Sequence, residues 1–317
     1  EKIIRIKISK FNIMSNQYIK IKKILLLLHK HYIFNDKITI LQNKLIHNFK
    51  NGKYNNISGG ILASKLYDDI YSILKDKHII FEPNEKEVKI KYDKDFFHKW
   101  IQSKIIKSNI GYIKIDTFLD FGLDGVYNPK VLEDIPKTKM KLICNSIIKH
   151  IENVKDCNYI IFDMRNNGGG EGQIVTLLLS FIFNRRIILE EIHYKMETRK
   201  YYTLTNKELQ ELCNCTNLPT IYNNKIICLT SKNTFSAGEQ FCYDIQSRKR
   251  GIIIGEITGG GASPGEYYTI DKEMKMFIPF AYTKNPITKT NWEGKGVKPN
   301  IVCKSKDALK CAIEYIN

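Results

Sequence analysis

Two stretches of this chain hold residue types suited to reactions at a carbonyl or phosphoryl centre. The first is Leu229-Thr-Ser-Lys-Asn-Thr-Phe-Ser236-Ala237-Gly238-Glu239. An apolar strand runs out, a short polar loop turns the chain, and Ser236 opens a helix. A serine there presents its oxygen near backbone N–H groups and the positive end of the helix dipole, where a nucleophile can be activated. The same residue type also serves as a plain helix N-cap, worth ~1 kcal/mol. Residue type alone does not separate these roles.

The second stretch is Phe162-Asp163-Met164-Arg165-Asn166-Asn167-Gly168-Gly169-Gly170. Three glycines at a strand end free the backbone to bring N–H groups close to an oxyanion. A phosphate cradle or a flexible turn would use the same residues. The run is neither G-x-G-x-x-G nor a P-loop, because no Gly-Lys-Ser/Thr follows.

A hydroxyl needs a base, and the chain offers seven histidines. His78 follows a helical pattern, where a cation would also favour the dipole. Among carboxylates, Glu293 sits beside Trp292, Glu256 follows the strand ending at Gly255, and Glu239 reads as a residue on a helix surface.

These residues need elements to hold them. Residues 1–87 read as a helical domain. Ile21, Ile24, Leu25 and Leu28 recur at helical spacing, as do Ile40, Leu41, Leu45, Ile46 and Phe49. After Ser58-Gly59-Gly60, a third stripe holds Leu62, Leu66, Ile70 and Leu74, with Asp68 and Asp69 on its polar side. Residues 88–317 change texture. Strand-like alternation over 88–92 and 111–116, a loop over 120–136 and a helix through Cys144 to Val154 precede an alternating core. In that core 159–163, 225–230 and 251–255 read as buried strands between helices. The order implies an α/β core with a mainly parallel sheet.

The formal charge is +17, yet the cations are mostly Lys scattered among Ile and Asn. No nucleic-acid-binding motif accompanies them, so no nucleic-acid partner is expected. Of the eight cysteines only Cys213 and Cys215 are close, a lone C-x-C far from a zinc pattern. Reduced thiols are expected, the even count leaving disulfides open, with no metal and no cofactor. No apolar run approaches the ~20 residues of a membrane span. A leader pattern is not visible after Glu1, and both cytoplasmic and extracytoplasmic locations stay open.

Five segments together resemble the tail-specific or C-terminal processing serine protease family, in the branch related to interphotoreceptor retinoid-binding protein and the tricorn core. They are Asp76-Lys-His78, residues 162–170, Thr230 to Glu239, Gly255-Glu-Ile-Thr-Gly-Gly-Gly-Ala-Ser-Pro264 and Thr290-Asn-Trp-Glu-Gly-Lys-Gly-Val-Lys-Pro-Asn300, in the family's order. The resemblance implies a crotonase/Clp protease-like β-β-α spiral core with an N-terminal helical bundle and a site in the cleft between them. It implies Ser236 as nucleophile and an oxyanion hole from the N–H groups of Ala237 and of Gly168 or Gly169. The processing branch activates its serine with a lysine that would fall at Gly261, so the resemblance leaves His78 as base and Glu293 as its orienting carboxylate, with Glu256 the rival. Lys77 stands where tricorn has a serine. Residues 79–109 are too few for the PDZ domain many relatives carry. The implied function is hydrolysis of peptides or unfolded proteins through an acyl-enzyme. An inactive binder of retinoid-like or lipid-like ligands on the same fold is the alternative. The sequence does not speak to oligomeric state.

Overall fold

The computed structural model describes residues 16–84, 100–107, 109–118 and 137–317, with side chains from 141 onward in the last stretch. The strand expected over 88–92 and the loop expected over 120–136 lie outside the described residues. In chain order the elements are α1 (Asn16–His31), α2 (Ile38–Lys50), α3 (Gly59–Leu74), β1 (Phe81–Pro83), β2 (Ile101–Lys107), β3 (Ile110–Ile115), α4 (Lys137–Glu152), β4 (Tyr159–Asp163) and α5 (Gly172–Ser180). There follow β5 (Ile188–Tyr194), β6 (Thr198–Tyr202), α6 (Asn206–Cys213), β7 (Lys225–Thr230), α7 (Ala237–Ser247) and β8 (Gly251–Gly255). The chain ends with β9 (Gly265–Thr269), β10 (Met274–Pro279), β11 (Ala281–Lys284), β12 (Ile301–Val302) and α8 (Ala308–Ile316).

The chain divides into two compact units: Glu1–Val88 with Gly265–Pro279, and Lys89–Pro264 with Phe280–Asn317. In the smaller unit α1, α2 and α3 bury the stripes that their spacing predicts. Ile21, Ile24, Leu28, Leu41, Leu45, Leu66 and Ile70 share one core with Met274, Met276 and Ile278 of β10. Ile40, counted with that stripe, instead faces out at 57% exposure. The β9–β10 hairpin is recruited from far along the chain, and β1 pairs antiparallel with β10. Buried Lys20 of α1 bridges Asp271 at 2.8 Å and Glu273 at 2.5 Å in the hairpin turn.

Asp69 departs from its expected polar face. It is buried, and it accepts hydrogen bonds from Tyr54 Oη (2.7 Å), Lys53 Nζ (2.7 Å) and Asn48 Nδ2 (3.0 Å). The cation and the two neutral donors offset the cost of burying its charge.

The larger unit is an α/β core. Its six-stranded sheet runs β12-β8-β7-β4-β3-β2, parallel throughout except for antiparallel β2. One face buries Phe162, Cys228 and Ile253 against helices α4, α5 and α7; the other packs Ile161, Ile227 and Leu229 on Ala308 and Ala312 of α8. A second sheet, β11-β5-β6, is antiparallel. Between α3 and β3 the described residues form only β1 and β2, with no PDZ module among them.

Candidate active site

Strands β4 and β7 lie side by side and parallel, so the two loops singled out above emerge together at their C-terminal ends. This is where open α/β sheets gather functional groups. Ser236 stands between β7 and α7 with φ 50° and ψ −121°. An ordinary N-cap sits in the β region. A non-glycine residue at this positive φ is strained, and such strain concentrates at functional sites.

Glu239 supplies the restraint. Its fully buried carboxylate accepts the N–H of Ser236 (2.9 Å), Gly260 (2.7 Å) and Gly261 (2.8 Å) and the hydroxyl of Thr258. Burial pushes its carboxyl above the usual range, while the four donors pull it back down. The helix-surface expectation for Glu239 is therefore overturned. The signal in sequence was its place three residues after Ser236, the capping-box spacing.

The glycine run closes on the same turn. A Cβ on Gly169 (φ +112°) would lie 2.8 Å from Ser236 Cβ, so only glycine lets the two loops approach this closely. Buried Asn167 rigidifies the run. Its carbonyl accepts the Phe235 N–H (2.9 Å), its Nδ2 donates to the Ile115 carbonyl (3.1 Å), and its Oδ1 accepts the Gly169 N–H (2.9 Å). That last bond corrects one expectation: the Gly169 donor is already engaged. The N–H groups of Gly168 and Ala237 meet no acceptor among the described residues. Asp163 and Arg165 shape this loop through an ion pair at 2.6 Å, with Tyr112 Oη also donating to Asp163 at 2.5 Å. These cationic and hydroxyl donors hold the Asp163 carboxyl below the usual range against its burial.

Glu293 is fixed within the same unit. Its Oε2 accepts the Ala262 N–H (2.6 Å) and the Ser263 hydroxyl (3.2 Å), while Trp292 Nε1 donates to the Gly261 carbonyl (2.7 Å). Segment 258–263 thus ties the Ser236 turn, through Glu239, to Glu293. Glu256, the rival, instead bonds through its backbone, its N–H to the Thr230 carbonyl (3.2 Å) and its carbonyl to Thr230 Oγ1 (2.9 Å).

His78 belongs to the smaller unit, in the turn between α3 and β1. It is buried, its ring stacks on Phe277 at 5.9 Å, and its backbone N–H donates to Asp76 Oδ1 at 2.9 Å. Tyr32 Oη donates to the other Asp76 oxygen at 3.1 Å.

Residues 109–303 match the family model of peptidase family S41. The chain belongs to peptidase family S41. It is accordingly a hydrolase of the serine-protease kind whose substrates are peptides or proteins. The matched span holds Ser236, the glycine run and Glu293; His78 lies before it. Solved structures share the fold along nearly the whole S41 chain. A lipoprotein from Streptococcus agalactiae aligns with a TM-score of 0.64 at 13% identity, covering 97% of this chain and 98% of its own. The photosystem II D1 C-terminal processing protease aligns with a TM-score of 0.52 at 12% identity, covering 93% and 94%. No helix among the described residues is long and apolar enough to cross a membrane.

Proposed function

We propose that this S41 peptidase cleaves peptide bonds through an acyl-enzyme on Ser236. The observation that carries the reading is the strained Ser236 turn, clamped by Glu239 against a glycine run with a donor to spare. His78 acts as general base and Glu293 orients it. A neutral imidazole can take the serine proton as it attacks, and a carboxylate on the opposite ring nitrogen fixes the tautomer.

In this reading Ser236 Oγ attacks the scissile carbonyl carbon while its proton passes to the imidazole. The oxyanion receives the N–H groups of Ala237 and Gly168, the two donors with no acceptor among the described residues. The imidazolium returns its proton to the departing amine. Water, deprotonated by the same imidazole, then attacks the acyl carbon; the ester C–Oγ bond breaks and the imidazolium returns its proton to Ser236 Oγ. Four other histidines bond residues away from Ser236: His31 with Tyr268, His47 with Asn51, His150 with Ser103 and His193 with Thr198.

A serine-directed fluorophosphonate, followed by peptide mapping, tests this assignment. Labelling confined to Ser236 and lost in Ser236→Ala supports it. Absence of labelling in a folded chain that binds retinoid or lipid overturns it in favour of a binder.

A further inference from the structure

Within the smaller unit, His78 has a buried acid beside it that the reaction above does not use. Asp76 lies two residues before it, just past the end of α3. Lys75 ends that helix in the left-handed region (φ 59°), its N–H bonding the Tyr71 carbonyl. The chain turns there, and the next side chain, Asp76, is only 5% exposed. A carboxylate at that depth is costly unless hydrogen bonds meet it.

Both of its oxygens are met. Oδ1 accepts the backbone N–H of His78 at 2.9 Å, in the two-residue turn that Asp side chains favour. Oδ2 accepts the hydroxyl of Tyr32 at 3.1 Å. Tyr32 is itself 2% exposed, with its own N–H on the Leu28 carbonyl of α1. Past His78, Ile79 enters the core of the unit, and the Ile80 carbonyl accepts the Phe277 N–H at 2.9 Å. The His78 ring stacks on Phe277, and an Asp76 oxygen lies within 4.8 Å of one of its ring nitrogens. Through Tyr32 and Asp76, helix α1 thus fixes the backbone from which the imidazole projects.

We infer that Asp76, braced by Tyr32, is a positioning residue that holds the His78 backbone so that the imidazole keeps its direction while the serine proton moves. This rests on the reading of His78 as the general base. Asp76 itself touches no substrate and carries no proton in the reaction. Without its carboxylate the His78 N–H loses this acceptor, and a misplacement of about 1 Å at a catalytic group costs about 100-fold. Asn at the same position keeps an oxygen for the His78 N–H, and its amide can donate to the Tyr32 hydroxyl oxygen. A role in geometry rather than charge therefore predicts that Asn rescues what Ala loses.

The experiment measures the rate of fluorophosphonate labelling of Ser236 in the folded full chain, well below each variant's thermal midpoint. It adds kcat and KM for an unfolded protein substrate. Asp76→Ala should slow labelling and lower kcat by about 10–100-fold, with KM changed by less than about threefold. Asp76→Asn should recover to within about threefold of wild type. In a His78→Ala background Asp76→Ala should add nothing, because a residue that acts through another loses its effect when the other is gone. Wild-type labelling in Asp76→Ala, no recovery in Asp76→Asn, or an equal slowing in the His78→Ala background overturns the inference and leaves the base assignment standing. Wild-type labelling in His78→Ala removes the base assignment, and the inference with it. Should Asp76→Ala fail to fold, Tyr32→Phe decides: labelling slower by about 3–10-fold is expected, with no added slowing beside His78→Ala. An unchanged rate in Tyr32→Phe overturns the inference.

Discussion

The N–H of Ser236 donates to Glu239 Oε2 at 2.9 Å, and the same carboxylate holds the Gly260 and Gly261 N–H groups. One buried acid thus fixes the backbone of the proposed nucleophile and of the segment that leads to Glu293. The Gly261 N–H is one of the donors that serve this clamp.

Removing the clamp should damage activity without touching substrate. In Glu239→Ala three backbone N–H groups and the Thr258 hydroxyl lose their acceptor, and unsatisfied buried donors cost about 1–3 kcal/mol each before water enters. We expect a loss of about 2–4 kcal/mol in chemical denaturation, as for breaking a buried charged network. A fall of about 100-fold in kcat/KM should accompany it, as expected when a positioning group is lost. Wild-type stability in this variant would show the contacts to be incidental.

Gly169→Ala tests the close approach of the two loops. A Cβ there would sit 2.8 Å from Ser236 Cβ and 3.2 Å from the Phe235 carbonyl oxygen, at a φ of +112°. Backbone strain of about 1–3 kcal/mol and displacement of the Ser236 turn should follow. Serine-directed labelling should slow by at least about tenfold, since 1.4 kcal/mol is a factor of ten. An unchanged rate of labelling would contradict the geometry.

The pH dependence of stability has a distinct source on the far end of α7. Asp244 pairs with Arg248 at 2.5 Å; Asn285 Nδ2 also donates to it, and the Arg248 guanidinium donates to the Ile188 and Leu189 carbonyls. Glu190 of β5 lies in the same buried region, with Tyr201 also near it. Burial raises the Glu190 carboxyl well above its usual range and pushes Asp244 up to about 7, against the pull of Arg248. Both folded carboxyls hold protons that the unfolded chain releases near ~4. Their contribution to stability is therefore present at low pH and lost as pH rises toward about 7. Glu190→Gln should gain thermal midpoint relative to wild type on going from about pH 5 to about pH 8. Parallel midpoint curves for the two chains would refute this.

Much of the larger unit was readable because its strands are continuous apolar runs ending in glycine or polar turns. Residues 159–163, 225–230 and 251–255 became β4, β7 and β8, and the glycine run and Ser236 fell at adjacent strand ends. The second sheet was not readable. Thr198–Tyr202 reads TRKYY, with one buried side chain and no apolar alternation, so its pairing with β5 comes from the fold rather than from local pattern. The recruitment of β9–β10 to the N-terminal helices rests on contacts far apart in the chain, such as Lys20 with Glu273, 253 residues on, which no local window contains. Burial of Asp69 and Glu239 escaped notice for the same reason. Periodicity locates a polar face but not the donors that make burying an acid tolerable.

Peptide hydrolysis by wild type, Ser236→Ala and His78→Ala, measured side by side on an unfolded protein substrate, tests the central claim most directly. The account predicts that each substitution lowers kcat by about 10⁴–10⁶, with the folded state retained and the double variant no worse than either single one. Peptidase activity in Ser236→Ala equal to that of wild type would contradict it.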